Sequence, residues 1–250
     1  MIYAKKKWGQ NFLVDQNLLE KICNTCSIKK NDEVLEIGPG QGALSEKILQ
    51  KTKNLTLVEI DPELISSLKE NQLFNDIKIL NQDILNTNLK ELSPNGQLVV
   101  IGNIPYNITS PIIFWLIDYK TNWKKSYLMV QKEYADRLIA KPKTKTYSRI
   151  TVMTNLHFNI RRCFNISPNV FHPRPKVNSS FIEIEKREIS SDIDLKKYSQ
   201  IARLAFNQRR KMLRNSLSTL LNEKNLQEFD FTKRPEDLLV EDYVFLSKIL

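Results

Sequence analysis

The stretch Glu33-Val34-Leu35-Glu36-Ile37-Gly38-Pro39-Gly40-Gln41-Gly42 decides the fold that this sequence predicts. Its first half is a largely apolar run with the length of a buried strand, and three glycines follow directly. A helix is predicted from Ala43 to about Lys51. A strand, a glycine-rich turn and a helix in this order indicate one crossover unit of a nucleotide-binding α/β fold.

The glycine spacing and the acidic residues beside it predict the kind of ligand. The loop reads G-x-G-x-G and not the G-x-G-x-x-G of dinucleotide sites, and Glu36 and Glu59 flank it. Two carboxylates disfavour a pyrophosphate but suit the sulfonium cation of S-adenosyl-L-methionine. Gly38 would let the backbone approach the methionine part of that cofactor. Glu59, after a predicted strand at 55–58, would accept the ribose hydroxyls; its alternative is a solvated strand end.

Two further predicted strands also end in polar residues. Strand 77–80 leads to Asp83, which would accept the cofactor's adenine amino group while Ile84 packs on the ring. A plain turn aspartate is an equal alternative. Strand 98–101 leads to Asn103-Ile104-Pro105-Tyr106. Because open α/β sheets bind ligands at the carboxyl ends of their strands, we expect all these residues to share one site.

The Asn103-Ile104-Pro105-Tyr106 turn suits a flat aromatic amine. Pro105 fixes its own φ and pushes Ile104 into an extended conformation, which makes the turn rigid. The Asn103 side-chain oxygen and the Ile104 carbonyl would each accept one hydrogen of an adenine N6 amine, which frees its lone pair to attack a methyl group. Tyr106 would stack on the base. The alternative is an ordinary strand-to-loop turn, since such short strings occur by chance.

Composition indicates a globular protein with a polyanionic partner. The 250 residues are 41% hydrophobic, enough for one large domain with a small appendage. The net charge is +10 and the pI is about 9.4. Basic clusters at 5–7, 161–162 and 209–211 favour nucleic acid over a mere compositional drift toward lysine.

The number of cysteines and the hydropathy of the chain indicate the cellular compartment in which the protein is expected. Three cysteines make no disulfide framework, and Cys23 and Cys26 share a predicted helix face with Leu18, Leu19 and Ile22. Core packing is therefore favoured over redox or zinc chemistry, and no metal site is expected. The apolar run 112–117 is too short to cross a bilayer, and the first residues do not resemble a signal peptide. We expect a cytoplasmic protein with no membrane partner.

Three further segments have predictable structures: an N-terminal segment that packs over another part of the protein, a stiff proline-containing loop and a helical C-terminal region. Residues 5–13 are too polar for a core element and too aromatic for a tail, so they are expected to fold over something. The prolines in 170–176 would display Phe171 on a stiff loop, where it stacks on the second face of a flipped base or serves as a packed anchor. A polar linker at 187–194 precedes a helical pattern. We predict two domains, 1–187 and 188–250.

Four motifs in this order resemble the rRNA adenine dimethyltransferase superfamily, and the resemblance covers nearly the whole chain. They are Gly9-Gln10-Asn11-Phe12-Leu13, Glu36-Ile37-Gly38-Pro39-Gly40, Asn103-Ile104-Pro105-Tyr106 and Phe171-His172-Pro173-Arg174-Pro175-Lys176-Val177. The resemblance implies a Rossmann-like class I S-adenosylmethionine-dependent methyltransferase domain, α/β in class, with a small all-helical C-terminal domain. It also implies the cofactor-binding residues Asn11, Leu13, Gly38, Glu59, Asp83 and Asn103. Tyr106 and Phe171 would flank the target adenine, with Asn103 as the third catalytic residue.

Two branches of the superfamily share these motifs. The stretch 171–179 is common to the macrolide-resistance methylases of the large subunit, whereas Pro39, the stretch 206–215 and Arg234-Pro235-Glu236 resemble the small-subunit enzymes (KsgA type). We therefore predict dimethylation of N6 of two adjacent adenosines near the 3′ end of small-subunit (16S) rRNA. The predicted enzyme is a monomer that acts on an assembling small ribosomal subunit. Its RNA contacts are predicted in the helical domain, at Arg209, Arg210 and Arg214. That domain is short for this branch, which leaves its contacts with the particle open.

Two other classes of function share part of the pattern. An NAD-dependent oxidoreductase would use the same crossover unit, but the pyrophosphate spacing and an evident proton donor are missing. A non-catalytic ribosome-assembly factor would keep the basic surface without turnover. The intact Asn103 turn disfavours it.

Overall fold

The computed structural model describes residues 4–250, in which strands and helices alternate before a helical end. The strands are β1 (Phe12–Leu13), β2 (Val34–Ile37), β3 (Leu55–Glu59), β4 (Lys78–Asn81), β5 (Leu98–Asn103), β6 (Trp123–Gln131), β7 (Phe158–Ile166), β8 (Phe171–His172) and β9 (Ser179–Lys186). The α-helices are α1 (Gln16–Cys26), α2 (Ala43–Leu49), α3 (Pro62–Glu70), α4 (Leu89–Leu92), α5 (Thr109–Asp118), α6 (Lys132–Leu138), α7 (Arg149–Asn155), α8 (Leu195–Asn207), α9 (Leu213–Ser216), α10 (Glu223–Glu228) and α11 (Val240–Ile249).

Seven strands form the central sheet in the order β4-β3-β2-β5-β6-β9-β7. Strands β2 to β6 run parallel, and β9 is antiparallel to β6. The strand order reverses between β2 and β5, where Ile37 pairs with Gly102 on one side and Val58 on the other. In open α/β sheets such a reversal leaves a crevice at the carboxyl ends of the strands. The predicted α/β, Rossmann-like sheet with helices at the C-terminal end is confirmed.

Burial pattern and helix capping explain why the strands and helices of this sheet form where they do. All four residues of β2 are buried, as expected for a parallel strand covered on both faces. Helix α1 begins after Asp15, whose Oδ1 accepts a hydrogen bond from the Leu18 N–H at 2.8 Å. Its buried face includes Cys23 and Cys26, and burial raises the pKa of the Cys23 thiol to about 12. Both cysteines are therefore packing groups, as the sequence predicted.

The described chain divides into two compact units. The first contains the residues up to Ala135 and Arg161–Lys186, and the second contains Asp136–Ile160 and Arg187–Leu250. The partition predicted from the sequence, 1–187 and 188–250, differs from this division in the segment 136–160 and at Arg187. That segment joins the helical unit because Tyr147 and Val152 belong to its hydrophobic core.

Tyrosines organise the core of the helical unit. The Tyr198 hydroxyl donates to the Val152 carbonyl at 2.9 Å, and the Tyr147 hydroxyl donates to the Leu238 carbonyl at 2.8 Å. Tyr243 donates to the Pro235 carbonyl at 2.7 Å. Each buried hydroxyl is thus satisfied by a backbone acceptor, so the rings add apolar area without leaving an unpaired donor.

No helix within residues 4–250 is long and apolar enough to cross a membrane. Over the same residues, no group of three or more His, Cys, Asp or Glu side chains is arranged to hold a metal ion.

Candidate active site

A cavity of about 260 Å³ lies at the strand-order reversal of the α/β unit. Its walls come from residues 7–13, the glycine loop after β2, the end of β3, the turn after β4 and the turn after β5. The predicted site residues that line it are Asn11, Leu13, Gly38, Glu59, Asp83, Asn103 and Tyr106. The structure therefore brings together every predicted cofactor residue and two of the three predicted catalytic residues.

The glycine loop adopts a backbone that other residues rarely take. Gly38, Gly40 and Gly42 have φ values of +65°, +59° and +86°. A Cβ atom on Gly40 would lie 2.9 Å from the ring of Phe12, whereas one on Gly38 would meet nothing closer than 3.8 Å. At Gly40 the absence of a side chain lets the Phe12 ring pack against the loop. At Gly38 it leaves open space in which a ligand can approach the backbone.

Glu59 ends β3 with its carboxylate inside the cavity wall. Oε1 accepts hydrogen bonds from the N–H groups of Ile60 (2.9 Å) and Asp61 (3.0 Å), and Oε2 accepts one from Gly40 (3.3 Å). Burial raises the pKa of this carboxyl, and these three backbone donors oppose the rise. The side chain is held in one orientation, and the remaining lone pairs of Oε2 suit a hydroxyl donor such as a ribose.

Glu36 is a second carboxyl of the cavity, and it is almost fully buried. The Ser45 hydroxyl donates to its Oε2 at 2.6 Å. Burial and, to a smaller extent, the charge of Glu59 raise its pKa to about 8, although the Ser45 hydrogen bond opposes the rise. A cation in the cavity would favour the ionised form of this group.

Asp83 follows β4 and caps a short 3₁₀ turn. Its Oδ1 accepts a hydrogen bond from the Leu85 N–H at 2.9 Å, and the neighbouring Ile84 is buried. Both residues line the cavity. The sequence left open whether Asp83 is a turn residue or an adenine acceptor. One side chain can serve both roles, because Oδ1 caps the turn and Oδ2 stays available as an acceptor.

The Asn103 turn is fixed at two points. The Asn103 Nδ2 donates to the Asn11 carbonyl at 3.0 Å, which leaves Oδ1 as the free acceptor of the side chain. Half-buried Tyr106 shares a 2.6 Å hydrogen bond with the fully buried Ser179 hydroxyl. Burial raises the pKa of the Tyr106 phenol. The aromatic ring is thereby held beside the amide oxygen.

Sequence reasoning missed Gln10 and Asp61. Gln10 Nε2 donates to Asp61 Oδ2 at 3.0 Å, and Lys5 Nζ lies 2.8 Å from Asp61 Oδ1. The only available signal was proximity: Gln10 precedes the predicted contact Asn11, and Asp61 follows Glu59 closely. The prediction that residues 5–13 cover another part of the protein is confirmed, because residues 7–13 line the cavity.

Phe171 is not displayed on a loop. It lies in β8, which pairs with β1 so that Leu13 faces Phe171, and only 4% of its surface is exposed. It belongs to the hydrophobic core of the α/β unit and does not line the cavity. The reason is the two-stranded ladder, which turns the aromatic ring inward while the next residue, His172, points outward. Stacking on a base would require an exposed face, so the packed anchor describes this structure.

The three predicted RNA-binding arginines differ in their surroundings within the helical unit. Arg209 pairs with Glu236 at 2.5 Å and donates to the Lys145 carbonyl at 2.8 Å and the Thr144 carbonyl at 3.0 Å. Its guanidinium is thus used to hold the helical unit together, which the sequence did not indicate. Arg210 and Arg214 are exposed and form no ion pair with any residue between 4 and 250.

The model of one protein family, ribosomal RNA adenine dimethylase, matches residues 1–245. The chain belongs to this family. Ribosomal RNA small subunit methyltransferase A of Malacoplasma penetrans is 39% identical over 249 residues, covering 97% of this chain and 90% of that protein. The protein with the same description from Flavobacterium johnsoniae is also 39% identical, over 99% of this chain and 95% of its own length.

Solved structures of related enzymes have the same fold. A dimethyladenosine transferase from Plasmodium falciparum matches with a TM-score of 0.81 and 30% identity, over 94% of this chain and 95% of that one. The 23S rRNA methyltransferase ErmE matches with a TM-score of 0.73 and 25% identity, over 95% of this chain and 98% of that one. Membership of the adenine dimethylase family excludes the oxidoreductase alternative and makes the protein a methyltransferase.

Proposed function

We propose that this protein transfers methyl groups from S-adenosyl-L-methionine to N6 of two adjacent adenosines near the 3′ end of small-subunit (16S) rRNA. The observation that carries this proposal is the Asn103 turn, which meets the cavity with a free amide oxygen and a tethered aromatic ring. We place the reaction in the cytoplasm, on an assembling small ribosomal subunit, with the protein acting as a monomer.

The residues of the cavity fit the cofactor. Bound S-adenosyl-L-methionine supplies an electrophilic methyl group on a sulfonium. Glu59, whose carboxylate is held by three backbone N–H groups, would accept the ribose hydroxyls, and Asp83 would accept the adenine amino group. A bound sulfonium would favour the ionised form of Glu36, and Gly38 leaves open space for the methionine part. Asn11 and Leu13 would close the cavity over the cofactor.

The Asn103 turn would prepare the amine for attack. Asn103 Oδ1 and the Ile104 carbonyl each accept one N6 hydrogen, which localises the nitrogen lone pair toward the methyl group, while Tyr106 stacks on the base. This arrangement would need no general base before attack, because the N6 proton becomes acidic only once the nitrogen carries the new methyl group. After the first transfer one hydrogen remains, and one of the two acceptors suffices to orient the second.

The small-subunit branch is supported by the curated relatives at 39% identity, both described as small-subunit enzymes. The large-subunit alternative rests on the 25% identical ErmE structure and on the shared stretch 171–179. Pro39 in the glycine loop and Arg234-Pro235-Glu236 favour the small-subunit enzymes.

A methyl-transfer assay tests the proposal. Undermethylated small and large ribosomal subunits are each incubated with the protein and radiolabelled S-adenosyl-L-methionine, and the labelled nucleotide is mapped by mass spectrometry. We expect two adjacent N6,N6-dimethyladenosines in the small-subunit rRNA, and none with the Asn103→Ala variant. Label in the large-subunit rRNA instead would support the resistance-type alternative. No label with either subunit would point to an assembly factor.

A further inference from the structure

Residues 5–13, called the strap below, form one wall of the cavity. Every residue from Lys7 to Leu13 lines it. Phe12 packs against the glycine loop at Gly40, and a Cβ on Gly9 would come within 3.4 Å of Pro105 in the catalytic turn. The strap thus contacts the loops on both sides of the strand-order reversal.

Two sets of hydrogen bonds hold the strap in place. At its inner end, Asn103 Nδ2 donates to the Asn11 carbonyl at 3.0 Å. At its outer end, Lys5 Nζ and Gln10 Nε2 donate to the two oxygens of Asp61 at 2.8 and 3.0 Å. The Lys5 backbone N–H also donates to Gln10 Oε1 at 2.8 Å, which closes a ring of contacts around the carboxylate.

Asp61 depends on the strap for its charge partners. Its side chain is 0% exposed, and an ionised carboxylate in such a place is costly unless it is paired and hydrogen-bonded. Burial pushes the pKa of Asp61 upward, but the hydrogen bonds from Lys5, Gln10 and the Glu63 N–H leave it below its usual value. Among residues 4–250, removing the strap would leave the Glu63 N–H as the one hydrogen-bond donor to this buried charge.

Asp61 is also tied to the cofactor side of the cavity. Its backbone N–H donates to Glu59 Oε1 at 3.0 Å, and Glu59 is the proposed ribose acceptor. One residue therefore connects the carboxylate beside the ribose position with the strap that covers the cavity.

We propose that Asp61 is a positioning residue that latches the strap over the cofactor, so that the cofactor leaves only after Lys5 and Gln10 release the carboxylate. The latch rests on the proposed function, which assigns S-adenosyl-L-methionine to this cavity. Asp61 itself does not line the cavity. It acts through the strap residues Asn11 and Leu13.

The test uses strap-side variants of the full chain, because Asp61 also caps α3 and its replacement would disturb that helix. Lys5→Met removes the charged donor, and Lys5→Arg keeps it. Lys124→Met is the matched control, since Lys124 forms a 2.6 Å ion pair with Asp32 and neither residue lines the cavity. Dissociation of S-adenosyl-L-methionine is followed by stopped-flow displacement with excess S-adenosylhomocysteine.

Tryptophan fluorescence supplies the signal. Trp8 is in the strap and lines the cavity, whereas the indole N–H groups of Trp115 and Trp123 donate to core carbonyls at 3.1 and 2.9 Å. We expect Lys5→Met to dissociate about tenfold faster or more, the loss typical of one charge-assisted hydrogen bond. Lys5→Arg and Lys124→Met are expected to keep the wild-type rate. Backbone amides of residues 7–13 should exchange hydrogen faster in Lys5→Met alone.

Two results would overturn the latch. One is an unchanged dissociation rate in Lys5→Met, whatever its melting temperature. The other is an equal acceleration in Lys5→Met and Lys124→Met, which would indicate general loosening of the α/β unit. Failure of the proposed function looks different, because the wild-type protein itself would then not bind S-adenosyl-L-methionine in equilibrium dialysis.

Discussion

At the scale of single residues, Asn103 uses both ends of its amide. The oxygen is the acceptor proposed for the adenine amine, and the nitrogen donates to the Asn11 carbonyl at 3.0 Å. From the sequence, catalysis needs only the oxygen. In the structure the nitrogen matters as well, because it ties the catalytic turn to the strap.

Replacement of Asn103 separates these two contributions. Asn103→Ala removes an acceptor from a preorganised site, so single-turnover methyl transfer at saturating cofactor and RNA should fall by about a hundredfold to a thousandfold. Asn103→Asp keeps an acceptor oxygen and should react faster than the Ala variant. The Ala variant loses the hydrogen bond to the Asn11 carbonyl, and the Asp variant places a second oxygen against that carbonyl. Cofactor affinity should therefore fall in both variants. Equal rates for the two variants would show that Asn103 is only scaffolding.

Glu36 predicts how stability depends on pH. Its pKa of about 8 lies above the ordinary value of 4.5, so the folded protein binds a proton that the unfolded chain releases. The stability from this proton is fully present below pH 4.5 and is lost as the pH rises toward 8. Across that window the free energy of unfolding should decrease by about 1.4 kcal/mol per pH unit from this group.

Glu36→Gln isolates that contribution, because glutamine keeps the shape without titrating. The stability of the variant relative to the wild type should increase between pH 5 and 8 in urea titrations of the cofactor-free protein. Glu70→Gln, at an exposed position of α3, serves as the control for a Glu-to-Gln replacement outside the cavity. A flat difference for Glu36→Gln would show that the carboxyl is ionised throughout.

At the scale of elements, the glycine loop and the strap are fitted to each other. Gly38 and Gly40 share a left-handed backbone, but only Gly40 lies against the Phe12 ring. An alanine at either position is strained by about 1 kcal/mol or more. Only an alanine at Gly40 would also push the strap away.

Hydrogen exchange on the cofactor-free protein distinguishes the two substitutions. Gly40→Ala should lower the melting temperature and accelerate exchange of strap amides near Phe12. Gly38→Ala should lower the melting temperature by a similar or smaller amount and leave strap exchange unchanged. If both variants loosen the strap equally, the loop strain and not the Phe12 contact is responsible.

At the scale of the whole molecule, the charge of +10 predicts salt-dependent RNA binding. Within the helical unit the exposed Arg210 and Arg214 are free to meet phosphates, whereas Arg209 holds Glu236 and the carbonyls of Thr144 and Lys145. The three arginines should therefore respond differently to replacement by alanine.

Binding of small-subunit rRNA at several salt concentrations separates them. The double variant Arg210→Ala, Arg214→Ala should reduce the log–log salt slope by roughly 0.7–0.9 for each lost contact and keep the wild-type melting temperature. Arg209→Ala should lower the melting temperature and change the slope little. The opposite pattern, a smaller slope only in Arg209→Ala, would restore Arg209 as the main phosphate contact.

Local pattern was enough to determine much of this protein. The run from Glu33 to Gly42 predicted β2, its glycine turn and α2, and the spacing of Cys23 and Cys26 predicted the buried face of α1. Strand-end residues such as Glu59 and Asn103 predicted one cavity, because the carboxyl ends of parallel strands meet at one edge. These features follow from periodicity, capping and chain order, which are properties of neighbours along the chain.

Tertiary structure alone decided the contacts between residues distant in sequence. The ladder between β1 and β8 buried Phe171, and the burial of Asp61 made Lys5 and Gln10 its partners. Residues 136–160 pack with the tyrosine-rich core of the helical unit, and Arg209 forms an ion pair with Glu236. A side chain's spacing along the chain tells which face it occupies, but only the packed fold determines which partner meets that face and whether water still reaches it.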